Sequence, residues 1–191
     1  MNHDHHGEFD ADAEWHADRL ARRIAAIRNQ RPARLRAPGD LDPDIAAWGR
    51  QLLAGTVGNL VIVGPVGTGK TWSAWEVLER AVVAGYPGKV LFATSAQWQD
   101  AVAPPVDRDR LRAMRSADVL VLDDLGSGRI NDWQRECLMS VVDERWQHGL
   151  PIVITSNMAD AEDSLGDRLT SRLSDGAAVV AINGTDRRGG Q

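Results

Sequence analysis

Residues Gly64 to Thr71 read GPVGTGKT and match the phosphate-binding pattern G-x-x-x-x-G-K-[ST] at every fixed position. Each residue type has a task in such a loop. Glycines at 64, 67 and 69 let the backbone turn so that several N–H groups point inward at an anion, with Pro65, Val66 and Thr68 completing the cradle. Lys70 supplies a compact ammonium for β- and γ-phosphates, and the Thr71 hydroxyl is suited to bind Mg2+. The chain holds only two lysines, Lys70 and Lys89, against 20 arginines. A chain that otherwise supplies positive charge as guanidinium thus has a point-like ammonium where phosphate chemistry uses one.

A site of this kind needs a carboxylate near the metal. ADVLVLDDLG, Ala117 to Gly126, is an apolar run ending in Asp123 and Asp124, and two adjacent acids at the end of a buried strand require a cation or water. Asp123 is expected to hold magnesium through its water shell, and Asp124 to polarise an attacking water. LPIVITSN, Leu150 to Asn157, is a third apolar run. It ends one helix after the acid pair, where P-loop ATPases of the additional-strand type have their sensor, and that resemblance implies Asn157 beside the γ-phosphate, hydrogen-bonded to the same water. LGDRLTSRL, Leu165 to Leu173, sets Arg168 and Arg172 one turn apart on one helix face. Exposed arginines at that spacing usually form a solvated face of little energetic weight, so their use depends on their surroundings.

These groups converge only if strands and helices alternate. NLVIVG before the loop suits a buried parallel strand, and TWSAWEVLERAVVAG after it repeats Trp75, Leu78 and Val82 at helical spacing. Strands are expected near Asn59 to Val63, Lys89 to Ala93, Asp118 to Asp123, Pro151 to Ser156 and Ala177 to Ile182. Asp42 reads as an N-cap with Pro43 at the first helical position. A later helix starts at Asn131 or Asp132, carries an apolar stripe through Trp133, Cys137 and Val141, and stops at Gly149. VAPPVDRDRLRAMRS, Val102 to Ser116, should open as a loop before a short basic helix. The expected fold class is α/β: a P-loop NTPase domain over 39–183, with a parallel five-stranded sheet covered by helices on both faces. An arm over 1–38 precedes it, and 184–191 reads as a flexible tail.

The arm changes sign along its length. Its first half is acidic, carries histidines at 3, 5 and 6, and is expected to be disordered. From Arg19 to Arg36 there are seven arginines and no acid, with Leu20, Ile24 and Ile27 at helical spacing. That amphipathic helix suits docking on a partner protein, lying on nucleic acid, or packing on its own domain. The net charge of −5 argues against a chain coated in positive charge, so nucleic-acid contact must come from a local patch. One cysteine, Cys137, excludes an internal disulfide and reads as core; with no long apolar run or leader, a cytoplasmic protein without a membrane partner is expected.

Taken in order and spacing, GPVGTGKT, VLVLDDLG, ITSN and LGDRLTSRL resemble the AAA+ ATPases of the DnaC and IstB group, bacterial and phage helicase loaders and their transposition-accessory relatives. The resemblance covers about Leu52 to Ile182. It implies ATP and Mg2+ as cofactors, a replicative DnaB-type helicase and single-stranded DNA as partners, and self-association through the Arg172 face. It also implies that Arg172 reaches the γ-phosphate bound by a neighbouring subunit, with Arg168 assisting or pairing with an acid. The segment near Ser95 to Arg115 would touch DNA through Trp98, Arg108, Arg110 and Arg112. Two departures stand out. Many relatives place Glu where this chain has Asp124, which implies slow hydrolysis, and only NGTDRRGGQ follows the last strand, too short for the helical lid of many AAA+ proteins. An ATPase assisting a transposase is the alternative within the group. Outside it stand a non-hydrolysing ATP-binding adaptor and a small-molecule P-loop kinase, the latter leaving Asn157 and Arg172 without roles.

Overall fold

The structure is a computed structural model that describes residues 6–126, 130–157 and 167–183, the side chains of 6–13 and 167 excepted. Five strands form one parallel sheet: β1 (Leu60–Val63), β2 (Val90–Thr94), β3 (Val119–Asp123), β4 (Ile152–Ser156) and β5 (Ala178–Ala181), in spatial order β2-β3-β4-β1-β5. All five expected strands are present, each within a residue or so of its anticipated bounds. The helices are α1 (His6–Gln30), α2 (Pro43–Ala54), α3 (Lys70–Val83), α4 (Ser95–Val102), α5 (Arg108–Ser116), α6 (Asp132–Gln147) and α7 (Asp167–Ser174), with a 3-10 turn at Ala33–Leu35.

Alternation along the strands gives the sheet two apolar faces. In β3, Leu120 and Leu122 join Trp98, Leu111, Met114, Leu138, Val141 and Leu169 under α4 to α7. Val119 and Val121 turn the other way, to Trp48, Leu60, Trp75, Leu78 and Val153 under α1 to α3. Burial on both faces is why these strands read as continuous apolar runs. Asp42 caps α2 by accepting from Asp44 N at 2.9 Å, with Pro43 beginning the helix, and Gly55 ends it at φ 71°. Gly49 allows α2 to lie close on α3, since a Cβ there would meet Val77 Cγ2 at 2.7 Å.

Three expectations need correction. The arm's acidic start is helical from His6, continuous with the basic segment; residues 1–5, including the histidines at 3 and 5, and the tail 184–191 lie outside the described residues. Secondly, Ile24 and Ile27, with half-buried Leu20 before them, do not form a surface waiting for a partner, because Ile27 is 7% exposed and Ile24 packs on the α1–α3 side of the core. Buried Arg31 holds the arm there with Nη1 donating to Glu76 at 2.8 Å and Glu79 at 2.7 Å, and Arg28 Nε adds a bond to Glu79 at 2.8 Å. Burial pulls the Glu79 carboxyl up, but the bonds from Arg28 and Arg31 outweigh it and leave the group below its ordinary value. Of the arm's open alternatives, the structure selects packing on its own domain. Thirdly, the buried face of α6 is Leu138, Val141, Val142 and Arg145, whereas Trp133 is 52% exposed. Cys137 is half-buried against that core, and burial, then Glu136, pushes its thiol up, which suits an unreactive structural role.

Candidate active site

The strand order decides which residues meet. Placing β4 between β1 and β3 aligns Val63 with Ser156 and Leu122 with Ile154, so Gly64, Asn157 and Asp123 emerge together at the carboxyl edge of the sheet. Ligands of open α/β sheets bind at that edge.

The loop that follows β1 holds its shape through its glycines. Gly64, Gly67 and Gly69 have φ of 155°, 85° and 98°, and a Cβ at Gly64 would meet Ile182 O at 2.4 Å. Thr68 Oγ1 donates to Pro65 O at 2.9 Å and braces the turn from inside. Val66 is exposed at the tip. Lys70, 8% exposed, opens α3, so a helix N-terminus faces the loop. Its Nζ donates to Gly64 O at 2.8 Å, Pro65 O at 2.7 Å and Asn157 Oδ1 at 2.9 Å. The ammonium therefore sits between the loop and the end of β4, joining two expected site residues directly. A bent backbone, a helix N-terminus and a buried ammonium form a donor set that fits a polyphosphate.

A hydroxyl connects the acid pair to β4. Thr155 Oγ1 donates to Asp123 Oδ1 at 2.6 Å and accepts from Asp124 N at 2.8 Å. Asp123 is thereby fixed through Oδ1, its second oxygen has no bond among the described residues, and with the half-buried Thr71 it provides the hard oxygen donors magnesium accepts. Among the described residues no group of three or more His, Cys, Asp or Glu could hold a metal by itself. A P-loop magnesium needs no such cage, since phosphates and water fill most of its positions. Asp124 is exposed and has φ of 60°, and it is the one non-glycine with positive φ among the described residues. Aspartate tolerates this left-handed conformation at a cost of order 1 kcal/mol, a strain of the kind concentrated at functional sites. Ser156 Oγ anchors the turn after it by donating to Leu125 O at 2.6 Å.

Arg168 and Arg172 lie away from this edge, on α7, and both engage α6. Arg172 Nε is 3.1 Å from Asp143 Oδ1, and its guanidinium lies 4.1 Å from the centroid of Trp146; Arg168 Nη2 is 3.4 Å from Asp143 Oδ2. The acid facing Arg168 thus belongs to its own chain.

On the other side of the sheet edge, Trp98 is a correction. It is 1% exposed and packed with Val102, Leu111 and Met114, so its ring is closed to a nucleobase. Arg108, Arg110 and Arg112 are exposed on α5, with Arg112 paired to Asp109 at 2.8 Å. Helices α5 and α6 run side by side in one direction. At one end Arg115 Nη2 donates to Ser140 Oγ at 2.9 Å. At the other, Asp107 N donates to Ala101 O, and Trp133 Nε1 donates to Val102 O at 3.0 Å. Trp133 is therefore the exposed ring at the rim where the arginine-bearing helix begins.

Sequence reasoning singled out none of Thr155, Asp143 and Trp146, and it placed Trp133 in the apolar stripe of its helix. Thr155 stood in the quoted ITSN, and a hydroxyl one residue before the expected polar group at a strand end was the signal available. Asp143 and Trp146 gave none, because their role depends on α6 facing α7.

The sequence signature of the family described as IstB-like ATP binding protein matches residues 53–189, more than half of the chain. An ATP-binding protein assigned to insertion sequence IS1162 of Pseudomonas fluorescens is 29% identical over 110 residues, 56% of this chain. The replicative helicase loader DnaI of Bacillus subtilis (strain 168) is 22% identical over 146 residues, 68% of this chain. The alignments cover 47% of the length of each of these two relatives. Among solved structures, the crystal structure of the DnaC helicase loader superposes with a TM-score of 0.64 at 24% identity, over 78% of this chain and 96% of that one. That likeness is one of fold: a P-loop, AAA+-like parallel sheet covered by helices.

Proposed function

Because the chain belongs to the family of IstB-like ATP binding proteins, we propose that it is an ATP-dependent loader of a DnaB-type replicative helicase, one that hydrolyses ATP slowly and self-associates. The observation that carries the reading is the meeting of Lys70, Asn157 and the Thr155–Asp123 pair along one sheet edge. Loop N–H groups and Lys70 bind the phosphates, Thr71 and Asp123 hold magnesium, Asp124 draws the proton of the attacking water, and Asn157 positions that water. A magnesium ion held by Thr71 and Asp123 would supply positive charge to offset the negative charge that develops on the phosphates. Arg172 enters from a neighbouring copy, so hydrolysis depends on assembly; a guanidinium in that role is worth about 10³–10⁵ in rate.

Two observations favour different partners. The DnaI alignment runs 146 residues, longer than the 110 of the insertion-sequence relative, which supports the loader. The insertion-sequence relative is more identical over a shorter length, which supports an ATPase assisting a transposase. Size-exclusion chromatography with light scattering of the chain mixed with the host's replicative helicase, in ATP and in ADP, separates them. An ATP-sensitive complex is expected. Absence of a complex in both nucleotides, with binding to a transposase and duplex DNA instead, replaces the loader with the second reading.

For DNA, the reading places single strands against Arg108, Arg110 and Arg112, with Trp133 as the stacking ring in place of Trp98. Base stacking on an aromatic is worth about 1–3 kcal/mol, so Trp133→Ala should weaken binding of a labelled oligothymidylate by roughly tenfold. Trp98→Ala should act on stability instead, through the cavity it leaves. Unchanged oligonucleotide affinity in Trp133→Ala would remove this surface from the proposal.

A further inference from the structure

We infer that Trp146 and Asp143 hold Arg172 in the posture from which it acts on a neighbouring copy, which makes them positioning residues for hydrolysis; this rests on the proposed role of Arg172 in trans. Helices α6 and α7 pack through Leu138, Val141 and Val142 against Leu169 and Leu173. At the rim of that contact, Asp143 and Trp146 stand one turn apart on α6, on the side that meets Arg172. The indole supports the guanidinium at 4.1 Å from its centroid, while Asp143 Oδ1 lies 3.1 Å from Nε. The ring is itself fixed, because Trp146 Nε1 donates to Asp175 Oδ2 at 2.9 Å, just past the end of α7.

The division of contacts suits a finger. The indole face meets Arg172 at Cζ and the carboxylate approaches its Nε side. The two Nη groups, the pair that grips two phosphoryl oxygens at once, have no partner among the described residues. The carboxylate contact is charge attraction rather than a hydrogen bond, since Asp143 Oδ1 has hydrogen-bond geometry to no donor among the described residues. Arg172 is thus oriented without being locked down, and Trp146, 46% exposed, has a task that accounts for a large ring left at the surface. An arginine on a flexible stem reaches a transferring phosphoryl group in many orientations, and restricting them beforehand raises the rate without changing ATP affinity.

The test compares kcat and ATP affinity for the full chain at increasing concentration in four forms: wild type, R172A, W146A and W146F. R172A should abolish hydrolysis; W146A should lower kcat roughly tenfold with ATP affinity within about twofold; W146F, which keeps a ring, should stay within about threefold of wild type. Mixing gives a readout that general weakening of the fold would not move. A K70A chain, which keeps Trp146 and Arg172, should restore hydrolysis to W146A chains, whereas the K70A/W146A double variant should not. Asp143→Asn, of unchanged volume, serves where W146A is poorly folded and should lower kcat about threefold. Full kcat in W146A and D143N beside an inactive R172A overturns the positioning role and leaves the finger standing, as does equal restoration by both donors. Full hydrolysis by R172A overturns both.

Discussion

Replacing Lys70 with alanine is expected to weaken ATP binding by roughly 10²–10³-fold while the chain remains folded. The estimate follows from the bonds at stake. Lys70 is positioned to give charge-assisted hydrogen bonds to the β- and γ-phosphates, each worth about 1.5–3 kcal/mol, and about 1.4 kcal/mol corresponds to tenfold in affinity. The structure adds a second loss. Lys70 Nζ also fixes Gly64 O, Pro65 O and Asn157 Oδ1, so its removal unties the loop from β4 as well as subtracting a charge. Lys70→Arg should not recover binding, because a planar fork with a longer reach does not fit a pocket that leaves the ammonium 8% exposed. Titration with a fluorescent ATP analogue, with far-ultraviolet circular dichroism as the control for folding, measures the effect. A Kd for K70A within about threefold of wild type would rule out Lys70 as a phosphate ligand and remove the basis for the nucleotide site.

How much of this could be read in the sequence depended on whether a feature was local. The loop, the acid pair and the strand ends were legible because each is fixed by neighbours in the chain: glycines for the turn, apolar runs for buried strands, Asp42 and Asn131 for helix starts. The docking of the arm was not, since Arg31 meets Glu76 and Glu79 more than 40 residues away, and an arginine-rich amphipathic helix has the same local pattern whether it covers its own domain or another protein. The two tryptophans show the distinction in one segment. Trp98 sits with Ala101 and Val102 at helical spacing, a core signal that stood in the sequence beside the DNA contact the resemblance implied. Trp133 lies at the first turn of α6, ahead of the buried stripe, where periodicity carries little information about exposure. Arg172 was found from its motif, but its support by Asp143 and Trp146 depends on which helix lies beside α7, and only the three-dimensional arrangement supplies that.

The largest effect on stability is expected at Arg145, which no motif touches. It is 0% exposed, and its guanidinium gathers carbonyls from the end of α5 and the start of β4: Nη1 donates to Met114 O at 2.8 Å, Arg115 O at 3.2 Å and Ala117 O at 2.7 Å, and Nη2 to Pro151 O at 2.8 Å. The first three are carbonyls a helix leaves unsatisfied at its C-terminus, where positive charge also complements the helix dipole. Burial pulls this guanidinium down to about 10, with Asp118 and Tyr86 pushing the other way, so it stays charged at neutral pH. Arg145→Met removes the donors and leaves the carbonyls enclosed. Each stranded polar group costs about 1–3 kcal/mol, offset in part because a buried charge is also removed, for a net loss of about 3–5 kcal/mol. For a chain of this size that lowers Tm by roughly 10 °C. Arg145→Lys should fall between the two, keeping the charge but losing the planar fork that spans four carbonyls. Thermal and urea unfolding monitored by circular dichroism, with nucleotide affinity measured at low temperature, separate the outcomes. A loss below about 0.5 kcal/mol in R145M would mean that water or a shift of α5 satisfies those carbonyls, and that Arg145 does not join α5 to the sheet. A loss of the expected size with ATP affinity retained would place Arg145 in the scaffold beneath the site. The fold would then use two unlike cations for two unlike tasks: a guanidinium spread over four fixed carbonyls, and an ammonium at Lys70 able to exchange its carbonyls for phosphate oxygens.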